Sequence, residues 1–170
     1  MFNNQPKIDV KPTKMDHRVL HIGWLIIVLN VLVVFAFYFK LPESIPTHFN
    51  LKGEADGYGS KSTLWMLPII GGLSYFLLFM MTTKMKPWNF NYPTKVTEKN
   101  APILYALCLQ MLVWLNLSIA VLFFIITLEI LLKALEIEGL ALGWTFIPLI
   151  AFVLLFPFWY IIKMFKVPKS

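Results

Sequence analysis

Residues 19–39, VLHIGWLIIVLNVLVVFAFYF, contain no Asp, Glu, Lys or Arg and exceed the roughly 20 residues that a helix needs to cross a hydrocarbon core about 30 Å thick. Three more runs share both properties: Ser62–Thr83, Asn100–Leu128 and Gly139–Ile162. In lipid every backbone N–H and C=O must be bonded internally, so only helices and closed barrels span it. Hydrophobicity that is continuous rather than alternating selects helices. The third run is the longest, which requires its helix to tilt or to continue past the hydrocarbon on one side. These runs account for a hydrophobic fraction of 58% against 14% charged in a chain of 170 residues. Soluble domains stand near half and a quarter. The sequence therefore predicts an all-α integral membrane protein, with four transmembrane helices over about 19–39, 62–83, 102–128 and 141–162 bundled into one domain spanning 19–163.

The placement of charge orients these spans. Eleven of the 15 basic residues fall in three segments: Lys7, Lys11, Lys14 and Arg18 before the first span, Lys84, Lys86, Lys95 and Lys99 in the inner loop 84–101, and Lys163, Lys166 and Lys169 at the end. Lys40, Lys52, Lys61 and Lys133 fall on the other side. Cytoplasmic loops carry the Lys/Arg excess, which predicts cytoplasmic tails at 1–18 and 164–170 and an outer loop at 40–61. The net charge of +6 is thus a topology signal, with attraction to the anionic headgroups of membrane lipids. No basic stripe interleaved with aromatics is present, so nucleic acid is not an expected partner. The first span is too long for a signal-peptide core and ends in bulky Phe37, Tyr38 and Phe39 instead of a small-residue cleavage site, so it reads as retained. Cys108 is the single cysteine and lies inside span three, which leaves the outer loop without a disulfide.

That loop is dense in residues that fix shape. Pro42 and Pro46 set φ and push Leu41 and Ile45 toward extended geometry, so Ile45–Phe49 reads as a short strand or an extended lid on the bundle. Asn50-Leu51-Lys52-Gly53 reads as a turn. Asp56-Gly57 followed by Gly59 reads as a second tight turn of hairpin type, and Ser62 or Thr63 as the cap of span two. Elsewhere, residues 1–16 show no apolar periodicity and read as a loose tail. Asn100 before Pro102 reads as a helix cap, and Glu129–Glu138 as an amphipathic continuation of helix three or a segment along the membrane surface.

The candidate binding residues are His48, Asn50, Asp56 and Lys61, with Pro42, Pro46, Gly53, Gly57 and Gly59 shaping the loop around them. A sharper reading has His48 and Asp56, with Asn50 or Glu54, holding a divalent cation. The plainer one has Asn50 and Asp56 cap the two turns while His48 bonds a neighbouring carbonyl. Metal signatures usually carry fixed spacings such as His-Glu-x-x-His, and this loop has none, so the plainer reading is preferred and no metal or cofactor is expected. No catalytic residue is assigned, because the chain lacks a nucleophile elbow and Cys108 has no companion base in its span. Within the spans the polar residues are Asn30, Ser74, Gln110, Asn116 and Ser118, which suit interhelical packing better than a transport path. Glu129, at the outer end of span three, is expected to reach the interface and be solvated.

The run Leu41-Pro42-x-x-Ile45-Pro46-Thr47-His48-Phe49-Asn50-x-x-Gly53-Glu54-x-Asp56-Gly57-Tyr58-Gly59-Ser60-Lys61 resembles the defining segment of an uncharacterised bacterial membrane-protein family. The same segment occurs in proteins similar to the SdpI-type immunity proteins, which protect bacilli from a secreted killing toxin. The stretch Tyr92-Pro93-x-Lys95-Val96-Thr97-Glu98-x-Asn100-Ala101-Pro102, with Tyr105, is similar to the segment after the second span in that family. Ala55 stands where relatives often have proline, the SdpI-type proteins are longer, and residues 110–170 carry no specific likeness. The resemblance implies a multi-pass protein of the bacterial plasma membrane with a structured outer loop and an immunity role. The expected function is accordingly non-enzymatic binding or protection, with a secreted peptide or a partner membrane protein engaged by residues 41–61. The alternative is a small transporter or an accessory subunit of a membrane complex, with loop one capping an opening lined by Asn30, Asn116 or Ser74.

Overall fold

A computed structural model of the chain describes residues 5–50, 52–137 and 143–168. In chain order it has α1 (Lys14–Phe37), strands β1 (Ser44–Phe49) and β2 (Ala55–Ser60), then α2 (Met66–Lys84), α3 (Ala101–Ala134) and α4 (Gly143–Phe165). Among the described residues, four helical segments are long and apolar enough to cross a membrane: Lys14–Lys40, Lys61–Lys84, Ala101–Ala134 and Pro148–Phe165. Large apolar side chains such as Leu25, Phe35, Ile69 and Leu155 stand exposed on their outer faces, as lipid requires and water would penalise. The protein is a four-helix membrane bundle with one β-hairpin at one end.

α3 is the spine. Its 34 residues make a rod about 50 Å long, well beyond the hydrocarbon thickness, so both of its ends need protein cover. At the end where α3 begins, Ala101, Leu104, Tyr105, Cys108 and Leu112 pack with Met164 and Val167 of the C-terminal segment, flanked by Ile8, Val10, Trp88 and Tyr92. At the other end, Ile130 and Leu131 pack with Val34 of α1, Leu41, Leu64 and Ile45 of the hairpin. Residues 5–13 and the end of α4 therefore share one end of the bundle with the 85–100 link, and the hairpin occupies the opposite end.

Between these layers the seam of α1, α2 and α3 is close. Gly23 of α1 lies against the phenol of Tyr75, whose hydroxyl donates to the Leu20 carbonyl at 2.5 Å. The Trp24 ring meets Tyr75 edge-on at 4.9 Å and helps clamp the seam. With its amide turned to suit its surroundings, Asn116 donates to the Tyr75 carbonyl (3.1 Å) and accepts from the Phe79 N–H (3.2 Å), an interhelical bond of the expected kind. Gly71 admits Phe123 to a separation that a β-carbon would reduce to 2.9 Å.

The helix ends bear out some expectations and correct others. The helix begins at Lys14, ahead of Val19, because Thr13 and Asp16 form a capping box, with the Thr13 N–H donating to Asp16 at 2.7 Å. Residues 5–13 are not loose: the Tyr105 hydroxyl donates to the Pro6 carbonyl at 2.7 Å, and Ile8 and Val10 pack on the α3 base. Asn100 occupies the N-cap position of α3 without capping it. Its side chain turns back to accept from the Thr97 N–H (2.8 Å) and to donate to the Lys95 and Pro168 carbonyls (3.1 Å each). Ser60, not Ser62 or Thr63, caps the turn that enters α2. α3 continues through Ala134, and Glu136 at φ 53° ends it; Glu138 and the start of the fourth apolar run, 139–142, lie outside the described residues.

Candidate functional site

The hairpin is built from its prolines and its turn. Extended Ser44–Phe49 pairs antiparallel with Ala55–Ser60, from Ser44 opposite Ser60 to Phe49 opposite Ala55. Asn50 makes the turn: its carboxamide oxygen accepts from the N–H groups of Lys52 (2.8 Å) and Glu54 (3.1 Å), and its carbonyl accepts from Gly53 (2.9 Å). Gly53 takes φ 76°, which a side chain would resist. The turn over 50–53 is where the residue types put it, and Asn50 is its organiser.

Asp56-Gly57 is not a second turn. Both residues lie in β2, because Gly57 pairs with His48 across the ladder. Two register shifts flank that pair: Thr47 is the extra residue on β1 and Asp56 the extra residue on β2. Successive residues of a strand point to opposite faces, so a regular ladder would turn Asp56 away from the partner of Gly57; a bulge re-aims it. The Asp56 carboxylate consequently meets the Nδ1 of His48 at 2.5 Å. Gly57 makes room for this, since a β-carbon there would sit 2.9 Å from the His48 Cβ. His48 therefore bonds a carboxylate, where the plainer sequence reading had a carbonyl.

The four candidate residues do not converge on one point. His48 and Asp56 form an exposed pair, with side chains 73% and 43% accessible. Asn50 is occupied by its turn and by Glu54, to which it donates at 2.9 Å. Lys61 stands at the hairpin's foot, only 18% accessible, paired with Glu43 at 2.9 Å and lying 5.4 Å from the Tyr38 ring centre. It closes the loop and presents little to a ligand. Pro42 precedes β1, Pro46 lies within it on a two-stranded sheet, and Gly59 faces Thr47, where a β-carbon would come within 3.0 Å. No group of three or more His, Cys, Asp or Glu able to hold a metal ion occurs among the described residues.

Beneath the hairpin, Ile45 is wholly buried in the cluster of Val34, Leu41, Leu64, Ile130 and Leu131. Beside that cluster Glu129 is also wholly buried, against the expectation that it is solvated at the interface. The cause is that α3 does not end at the edge of its apolar run: it rises into the cover of the hairpin and of α1. One helical turn below Val34, Asn30 is fully buried with neither amide atom hydrogen-bonded, so it makes none of the interhelical bonds expected of it. Ser118 bonds the Trp114 carbonyl of its own helix at 2.8 Å.

Fold and loop define a multi-pass helical membrane protein whose hairpin holds an exposed histidine–carboxylate pair over a tightly packed bundle end. Residues 25–72, which run from mid-α1 through the hairpin into α2, match a domain of unknown function (DUF1648). An uncharacterized protein of Archaeoglobus fulgidus is 31% identical over 70 residues, which is 41% of this chain and 38% of that protein. The match thus spans well under half the length of that relative. No solved structure matches the chain.

Proposed function

We propose that this is a non-enzymatic binding protein of the bacterial plasma membrane, with a protective or immunity role, both termini in the cytoplasm and the hairpin outside. One observation carries the reading: His48 and Asp56 are held in a fixed pair on a hairpin anchored by buried Ile45, yet both remain open to solvent. With Nδ1 engaged by the Asp56 carboxylate, His48 leaves Nε2 for a ligand. Because the loop is already ordered, a secreted peptide or a partner membrane protein would bind without much further ordering cost. The resemblance of residues 41–61 to the SdpI-type segment and the cation bias of the termini both favour this reading. The test is gene deletion followed by complementation with wild type or His48→Ala, scored as survival against secreted antimicrobial peptides. The variant is expected to insert and express normally and to protect no better than the deletion. Equal survival of all three strains removes the immunity role.

A second reading, a small transporter or an accessory subunit, is favoured by buried Glu129 and by the unbonded Asn30 amide, since ionisable and polar groups inside spans mark ion and substrate paths. Under it, Asn30→Cys in a Cys108→Ala background reacts with a small, water-soluble thiol reagent. Under the binding reading it stays unreactive, because position 30 is fully buried.

A further inference from the structure

We infer that the end of the bundle opposite the hairpin binds a phosphate-bearing anion, the headgroup of an acidic phospholipid, in the cavity where the N-terminal segment crosses the foot of α2. The cavity has a volume of about 160 Å³ and brings together Lys11, His17, Lys84 and Lys86 from two stretches of chain. Its outer wall is fixed by Asp9, which pairs with Lys86 at 3.2 Å and with Lys11 at 3.5 Å. Val10, Pro87 and Leu109 add apolar lining. Lys84 makes no ion pair among the described residues. The Thr82 and Thr83 hydroxyls are committed to the Leu78 and Phe79 carbonyls, so recognition falls to the lysines and His17.

Charge and depth both suit such a ligand. Three lysines face one aspartate, whose carboxyl the Lys86 hydrogen bond holds below its ordinary 3.8, so the lining is positive overall. The C-terminus of α2 opposes an anion with about half a charge, less than the lysine excess. Lys84 closes the apolar segment of α2, which sets the cavity at the level of the headgroups. Basic pockets between spans at that level hold acidic headgroups, each lysine contributing about 1 kcal/mol, or roughly a fivefold change in affinity.

The experiment uses the full chain in detergent, with native mass spectrometry and thermal unfolding read against added phosphatidylglycerol, phosphatidylcholine or inorganic phosphate. Wild type is expected to retain and be stabilised by phosphatidylglycerol over phosphatidylcholine. Lys84→Gln/Lys86→Gln is expected to lose that preference by an order of magnitude. Lys163→Gln, a cation at the same end but stacked 3.4 Å from the Trp159 ring centre, should leave it unchanged. Asp9→Asn should strengthen retention about fivefold, a gain that mere loosening of the wall would not give. Inorganic phosphate protecting as well as the lipid would still support the site, with a free phosphate as its occupant. Equal retention of both lipids by wild type overturns the inference, as does an equal loss in Lys163→Gln. If the double variant does not fold, Lys11→Gln poses the same question with a fivefold expected loss.

Discussion

Replacing Gly23 with leucine is expected to abolish the folded bundle. A β-carbon at this position overlaps the Tyr75 phenol, and the ring has nowhere to go. Its hydroxyl is tied to the Leu20 carbonyl, its edge is pressed by Trp24, and its own backbone carbonyl is engaged by Asn116 of α3. Overpacking a well-fitted core costs about 1–3 kcal/mol, and a clash with a pinned aromatic ring belongs at the top of that range or above it. In lipid, helix association rests on close packing and not on hydrophobic transfer, so little else compensates. The expected result is loss of monodisperse protein in mild detergent. Gly72→Leu is the control: Ile27 would stand 3.6 Å from a β-carbon there, an ordinary contact, and near wild-type yield is expected.

The second large effect is expected at Ile45. Truncation to alanine removes a hairpin side chain that is wholly buried among Val34, Leu41, Leu64, Ile130 and Leu131. Leucine- and isoleucine-to-alanine changes in packed cores cost about 2–5 kcal/mol, the upper part of that range applying where neighbours cannot close the cavity. Three of these neighbours, Val34, Ile130 and Leu131, sit on α1 and α3 and are held by the helix packing, so the cavity stays open. A two-stranded hairpin is marginal by itself, so undocking should also release its strand pairing. Amide exchange over residues 44–60 is expected to rise by two orders of magnitude or more, while the helices keep their protection. His48→Ala, on the exposed face, should leave exchange unchanged. Exchange that rises equally in both variants would show that Ile45 is not the anchor.

The range of the forces involved separates the features legible in the residues from those that were not. The four helices were legible because a continuous apolar run has a single solution in lipid, and the Asn50–Gly53 turn because its bonds are made within a few residues. Asp56-Gly57 carries the same local signature but lies in a strand. Pairing with His48 on the other strand outweighs the turn preference, and only the register reveals the bulge that aims Asp56. Glu129 looked solvated because the apolar run ends beside it; its burial depends on α3 extending past that run into the packed end of the bundle. Residues 5–13 carry no period to read, and their order is imposed by Tyr105 and the base of α3. Of the candidate site, the pairing of His48 with Asp56 could be suspected from residue type. The structural occupation of Asn50 and Lys61 could not.

We propose that an ordered hairpin faces out of the cell with His48 open to solvent. This is tested most directly by placing single cysteines at His48→Cys and Lys95→Cys, each in a Cys108→Ala background, and treating intact cells with a membrane-impermeant maleimide. The account expects rapid modification at position 48, and modification at position 95 only after the membrane is permeabilised. Labelling of position 95 in intact cells with position 48 protected would contradict it.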